Sequence, residues 1–194
     1  MNQLKKKYKL KQMYIIVLRA YRSISSLITN RTQKIVDPML IERLMLATTE
    51  VNGCDVCSYA HTKMALMEGF KQEEIDAFLS GSAAYVIERE AKAILYAQHV
   101  ADTMGEPDPD ATRVLVESYG VQTSKIMRAG INMMMMGNVS GIPLSALLRR
   151  MKGNPYQNST LMYELGMLAV QPLVFFFALI HAILDAFMFS RYGL

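Results

Sequence analysis

Hydrophobic residues recur every three or four positions along most of the chain, and this spacing is typical of amphipathic helices. The clearest start signal is Asp37 followed by Pro38, because Asp is a good N-cap and Pro suits the first helical position. The pattern then continues until Gly53, a typical C-terminal stop. The sequence therefore predicts a helix from Pro38 to about the residue before Gly53.

The same spacing predicts further helices down the chain, with glycines between them. They run from about 54 to 67, 71 to 79, 83 to 103, 110 to 119, 123 to 136 and 143 to 151. The Pro-containing stretch 107–109 is the best internal hinge, and no alternating strand pattern is convincing anywhere. We therefore expect an all-α fold, a multi-helix bundle with additional C-terminal helices.

The segment 165–184 contains no Asp, Glu, Lys or Arg, and its 20 residues are long enough to cross a bilayer. Pro172 near its middle, His181 inside it and the acids Glu164 and Asp185 at its ends argue against a membrane span. We favour a buried or oligomer-facing helix that is broken at Pro172.

The 194 residues suit one domain, and the composition, 52% hydrophobic and 20% charged, is that of a globular protein. The basic residues concentrate in the first 37, a segment that suits an anionic membrane or nucleic acid. We favour a solvated helix face, with no nucleic-acid partner and with membrane contact as the less favoured reading. The apolar stretch before Arg19 is too short for a signal peptide, so we expect no secretion signal and a cytoplasmic location.

The only two cysteines are Cys54 and Cys57, and His61 follows them one helical turn later. On a helix these three side chains share one face, and the two Cβ atoms lie roughly 5 to 6 Å apart. Modest relaxation of the first turn would allow a disulfide. The spacing indicates a redox pair in a reducing compartment.

Thiol chemistry needs a thiolate, and His61 is placed to take the proton from Cys57. Glu42 on the preceding helix would orient His61 or relay its proton if the fold brings the two together. Two other readings stay open: an inert pair of core cysteines, or a zinc site that recruits Glu42, Glu50 or a distant histidine. The shortage of ligands leads us to expect no metal, and we expect no organic cofactor.

The sequence motif Glu, eleven residues, Cys, two residues, Cys, three residues, His is met by Glu42, Cys54, Cys57 and His61. With this motif the chain resembles the AhpD-like alkylhydroperoxidase branch of the carboxymuconolactone decarboxylase superfamily. The resemblance covers roughly residues 38–103, and the stretch 137–144 looks similar to longer members. The founding type has a His between its cysteines, where this chain has Val56.

The resemblance implies an all-helical homo-oligomer with a peroxidase mechanism. Cys57 would attack a hydroperoxide, Cys54 would condense with the resulting sulfenic acid, and a dithiol reductant, a protein or a lipoyl-type group, would restore the pair. Glu42 and His61 match the proton relay. We expect an AhpD-like redox core with its following helices at 38–153. Outside the shared core we expect a basic helical arm at 1–37 and an apolar helical segment at 154–194 that packs on the core or an oligomer interface.

Two alternative functions remain. A thiol-disulfide oxidoreductase that acts on protein or small-molecule disulfides would use the same residues without any peroxide. A membrane-associated interaction protein would explain the basic arm and the uncharged segment 165–184, and its cysteine pair would be non-catalytic.

Overall fold

A computed structural model describes residues 2–192, which form eight α-helices and no β-strand. The all-α prediction is confirmed. The helices are α1 (Leu10–Gln33), α2 (Pro38–Asn52), α3 (Asp55–Met67), α4 (Gln72–Leu79), α5 (Glu88–Asp102), α6 (Pro109–Tyr119), α7 (Val121–Met151) and α8 (Leu161–Tyr192).

Helix α7 is the central element, since it packs against α1, α2, α3 and α8. The sequence predicted two helices here, and that prediction is wrong: α7 continues through Gly137, Gly141 and Pro143. A glycine costs a helix only about 1 kcal/mol, and packing against several neighbours outweighs such a local preference. The middle of this continuous helix, around Gly141, lies against Cys54 and Cys57.

Helix α1 packs one face into the core, while its basic residues Lys11, Arg22 and Arg31 stay exposed, as expected of a solvated basic face. Its residues Met13, Val17 and Ala20 are completely buried, and the helix packs on α7 and α8. The extended segment before it is also fixed, because the Leu4 backbone N–H donates to Asn158 Oδ1 at 2.8 Å. Two lysines of this segment also form ion pairs, Lys5 with Glu50 and Lys6 with Asp102, so part of its positive charge is neutralised.

Helix α8 also runs unbroken through Pro172, so the predicted break is wrong. Proline removes one backbone donor, and a long helix held by neighbouring helices tolerates that loss. Both α7 (Val121–Met151) and the range Leu161–Met188 of α8 are long and apolar enough to cross a membrane. The apolar window of α7 is 56% buried inside the protein, whereas that of α8 is only 22% buried.

The start of α8 is anchored by the carboxylate of Glu164, which is completely buried. Arg150 at the end of α7 donates to both of its oxygens, at 2.7 and 2.8 Å, and the Ser159 hydroxyl donates at 2.6 Å. The hydrogen bonds from Arg150 lower the pKa of Glu164 below its usual value. The ion pair therefore fixes the position of α8 against α7.

Replacing Arg150 by Met should weaken folding at pH 7, since it leaves the buried Glu164 carboxylate without its cation. The lowered pKa means that the wild-type pair adds stability above the usual glutamate value of 4.5 and loses it as the pH falls through the lowered value. Urea unfolding should thus show a deficit at pH 7 that shrinks in acid. Arg113→Met, which removes a cation from exposed ion pairs, is the control and should change little. If Arg150→Met and Arg113→Met lose the same free energy of unfolding at pH 7, the Arg150–Glu164 ion pair has no special role in stability.

Candidate active site

The turn between α2 and α3 places the two cysteines. Helix α2 ends at Asn52, and Gly53 follows with φ of 68°, a left-handed conformation that favours glycine. Cys54 is then the N-cap of α3, and Cys57 lies in its first turn. The chain reversal at Gly53 therefore brings the start of α3 against α7.

Cys54 and Cys57 are joined by a disulfide, with their Cα atoms 5.3 Å apart. The relaxation of the first turn that the sequence argument required is present, because Cys54 has extended backbone angles, φ −93° and ψ 99°. Cys54 is completely buried, and Cys57 is 8% exposed. Of the two cysteines, only Cys57 lines the neighbouring pocket.

His61 and Glu42 are in direct contact, as the sequence argument required of the fold. The Nδ1 atom of His61 lies 2.7 Å from Oε1 of Glu42, and the Glu42 side chain is almost fully buried. A carboxylate can only accept, so it holds the proton on Nδ1 and leaves Nε2 as the basic nitrogen. The pKa of the nearby Glu68 is raised, mainly by burial and next by the negative charge of Glu42.

The pocket beside the disulfide has a volume of about 460 Å³. It is mostly apolar, and His61 is the one titratable side chain in its wall apart from the cysteine. Helices α2, α3 and α7 all contribute to it. The residues that line it are Met45, Val56, Cys57, Ala60, His61, Met133, Met134, Gly137, Ser140 and Gly141.

Gly141 permits α7 to approach the sulfur atoms. A Cβ atom at this position would lie 2.6 Å from Cys54 Sγ and 2.7 Å from Cys57 Sγ. Both distances are far below van der Waals contact, so no larger residue fits without a shift. Gly137, one turn earlier on the same helix, has no atom within 4 Å of such a Cβ, and its carbonyl oxygen lies 3.4 Å from Cys57 Sγ.

Gly141→Ala should destabilise the oxidised protein by about 1–3 kcal/mol, the usual cost of overpacking a well-filled core. Gly137→Ala is the matched control and should stabilise α7 by roughly 0.5–1 kcal/mol, because only the glycine entropy changes. Urea unfolding of both oxidised variants measures the difference. If the two variants change the free energy of unfolding by similar amounts, a glycine at position 141 is not needed for α7 to pack against the sulfur atoms.

A buried chain of hydrogen bonds supports the turn from behind. Tyr8 donates to Asn52 Oδ1 at 2.6 Å, Asn52 Nδ2 donates to Asn138 Oδ1 at 2.8 Å, and Asn138 Nδ2 donates to Thr49 Oγ1 at 3.0 Å. Burial raises the pKa of the Tyr8 hydroxyl well above its usual value. The network joins the extended N-terminal segment, the end of α2 and the middle of α7 directly behind the cysteine pair.

The remaining candidate residues lie apart from this pocket. His99 Nε2 accepts from the Asp108 backbone N–H at 3.0 Å, and His181 Nδ1 pairs with the Tyr14 hydroxyl at 2.8 Å. The Nε2 atom of His181 lies 3.6 Å from Oδ2 of Asp185, one helical turn away. In the described part of the chain no three His, Cys, Asp or Glu residues are grouped so as to hold a metal ion.

Sequence reasoning missed most of the pocket wall. In the run of four methionines at 133–136, Met133 and Met134 border the pocket, and Met135 is buried in the core. The stretch 137–144 supplies two residues of the pocket wall, Gly137 and Gly141. Helical spacing alone does not reveal which turn of α7 faces the cysteines.

Comparison with known proteins gives one match. Residues 18–99 match the model of the carboxymuconolactone decarboxylase family, which confirms the resemblance drawn from the motif. The matched segment begins within α1, earlier than the motif indicated, and contains Glu42, Cys54, Cys57 and His61. No curated protein and no solved structure matches the chain.

Proposed function

We propose, on the premise that residues 18–99 belong to the carboxymuconolactone decarboxylase family, that this protein is a thiol-dependent peroxidase that reduces organic hydroperoxides. The observation that carries the proposal is the disulfide-forming pair Cys54 and Cys57 beside an apolar pocket that also holds the hydrogen-bonded His61–Glu42 pair. Such a site needs neither a metal nor an organic cofactor for thiol chemistry. It works where thiols are kept reduced, as in the cytoplasm.

Cys57 is the attacking thiol in this proposal because it faces the pocket and Cys54 is enclosed. His61 borders the same pocket, and its Nε2 atom is free to accept a proton while Glu42 holds Nδ1. Glu42 also stabilises the imidazolium that forms when His61 takes the proton. The position of Cys57 in the first turn of α3 adds the partial positive charge of a helix N-terminus.

The first step transfers one oxygen atom. The Cys57 thiolate attacks the outer oxygen of the hydroperoxide, the O–O bond breaks, and the alcohol leaves after it receives the proton held by His61. Sulfur is oxidised to a sulfenic acid, and the peroxide is reduced by two electrons. The products are one alcohol and one Cys57 sulfenic acid.

The second step forms the disulfide that the structure contains. The Cys54 thiol attacks the Cys57 sulfenic acid, an S–S bond forms, and the hydroxyl group leaves as water. The backbone N–H of Cys57 points at Cys54 Sγ, 3.4 Å away. This donor stabilises negative charge on Cys54, so Cys54 is also the better leaving group when a reductant attacks the disulfide at Cys57.

The apolar wall indicates the class of the peroxide. An organic hydroperoxide with a hydrocarbon body would bury that body against Met45, Met133 and Val56, which hydrogen peroxide cannot do. A dithiol reductant, a protein or a lipoyl-type group, would attack the disulfide at Cys57 through this pocket and leave oxidised to a disulfide.

The test is a stoichiometric assay of the reduced protein with cumene hydroperoxide and, separately, with hydrogen peroxide. The expected result is one organic peroxide consumed for every two thiols lost, with a slower reaction for hydrogen peroxide. Persistence of both the peroxide and the thiols would overturn the peroxidase function. In that case, reduction of lipoamide or insulin disulfides by the same protein would instead support a thiol-disulfide oxidoreductase.

A further inference from the structure

Three successive turns of α7 contact the start of α3, where the cysteines lie. Gly137, Gly141 and Ser145 are four residues apart in the chain, so they lie on one side of the helix. The two glycines border the sulfur atoms. Ser145, on the third turn, is only 2% exposed and bonds to the backbone of α3 instead.

The hydroxyl group of Ser145 joins the two helices. It accepts a hydrogen bond from the Val56 backbone N–H at 3.2 Å and donates one to the Gly141 carbonyl oxygen at 2.8 Å. A serine inside a helix often donates to the carbonyl four residues earlier, so the second bond is a local feature of α7. The bond from Val56 comes from another helix, and a change at Ser145 therefore acts on α3.

Val56 is one of the two residues between Cys54 and Cys57, so its backbone belongs to the turn that the disulfide closes. The first N–H groups of a helix have no partner within that helix. In α3 the Cys57 N–H points at Cys54 Sγ, 3.4 Å away, and the Val56 N–H is satisfied by Ser145. Ser145 therefore holds the first turn of α3 from outside, at the residue next to Cys57.

Loss of this hydroxyl would affect the two redox states of the pair unequally. While the disulfide is closed, the turn has little freedom, and the Val56 N–H would remain without an acceptor, which costs free energy. In the dithiol the turn can shift until water satisfies the same N–H, so the cost is smaller. The hydroxyl of Ser145 therefore stabilises the disulfide more than the dithiol.

We infer that Ser145 is a positioning residue of the redox pair, which holds Cys54 and Cys57 in the arrangement that closes the disulfide. Ser145 does not line the redox pocket, so it acts through the backbone of Val56 and not on a substrate. The inference rests on the proposed function only in taking the two cysteines as redox-active. It does not require that a peroxide be the oxidant.

The test is to equilibrate the full chain with reduced and oxidised glutathione at a series of ratios, and to count thiols by alkylation and mass spectrometry. Ser145→Ala should lower the equilibrium constant for disulfide formation about tenfold, or about 30 mV for this two-electron couple. Ser124→Ala is the matched control, because Ser124 is also a buried serine of α7 but donates to the Leu115 carbonyl of α6. Its loss should weaken both redox states alike and leave the equilibrium unchanged.

An unchanged equilibrium in Ser145→Ala would overturn the inference. An equal shift in Ser124→Ala would do the same, since it would trace the effect to general packing. If the Ser145→Ala equilibrium shifts as expected although the wild type consumes no peroxide, the peroxidase function fails and the positioning role stands.

Hydrogen exchange of the Val56 amide in the wild type gives a second measurement, which does not depend on whether Ser145→Ala folds. The amide should be protected from exchange in both the disulfide and the dithiol forms, because Ser145 accepts its hydrogen bond in both. Fast exchange in the dithiol form would show that Ser145 releases the turn once the disulfide opens, and the inference would then be wrong.

Discussion

Cys57→Ser is expected to abolish peroxide consumption, whereas Cys54→Ser is expected to retain a single reaction with peroxide. The reason is access: Cys57 borders the pocket, and Cys54 is fully enclosed behind it. Without added reductant, the Cys54→Ser protein should consume one peroxide for one thiol and stop at a Cys57 sulfenic acid. Dimedone trapping and mass spectrometry identify that product.

The two variants control for each other, because each removes one sulfur atom and the same disulfide. A shared loss of stability therefore affects both equally, and only the roles of the two thiols separate them. If Cys54→Ser is the inactive protein and Cys57→Ser forms the sulfenic acid, the assigned order of attack is reversed. If both variants consume peroxide equally, Cys57 cannot be distinguished from Cys54 as the attacking thiol.

His61→Ala should lower the rate of peroxide reduction at pH 7 by about 10²–10⁴-fold, the usual contribution of a positioned acid–base group. The loss should shrink as the pH rises past about 8.5, where a free cysteine ionises without help. Glu42→Gln should have a smaller effect, roughly 10–100-fold, because it leaves the base and removes the charge that orients it. Single-turnover rates measured across pH 6–10 test both expectations.

Glu68→Gln serves as the control, since Glu68 carries the same charge near His61 but makes no hydrogen bond to it. Its rate profile should follow that of the wild type. If His61→Ala instead loses the same factor at every pH, His61 acts in positioning or alcohol protonation rather than in forming the thiolate. If Glu68→Gln matches Glu42→Gln, general electrostatics rather than the 2.7 Å contact accounts for the effect.

Local signals identified the elements around the site. The Asp37-Pro38 start is present as predicted: Asp37 accepts a hydrogen bond from the Met39 backbone N–H at 3.0 Å, and Pro38 is the first residue of α2. Gly53 ends that helix in a left-handed conformation. Capping and turn residues act through their own backbone, so the sequence is sufficient to place them.

Local signals failed where packing outweighs them. Gly137, Gly141 and Pro172 read as helix ends, yet α7 and α8 continue through them. Each helix is held by neighbours along its length, and the close approach at Gly141 depends on the cysteines of another element. The sequence of one segment does not show which neighbouring helix will pack against it and offset the cost of a glycine or proline inside it.

The sequence by itself determined the helical class, the start of α2 and the turn at Gly53. It also placed Cys54, Cys57 and His61 within one helix and its cap. All of these features depend on contacts between residues that are near neighbours in the chain. Only the tertiary structure decided that Glu42 reaches His61, that Cys57 rather than Cys54 faces a pocket, and that α8 exposes an apolar surface. Those features join helices distant in sequence, and their geometry follows from how the helices pack rather than from any single helix.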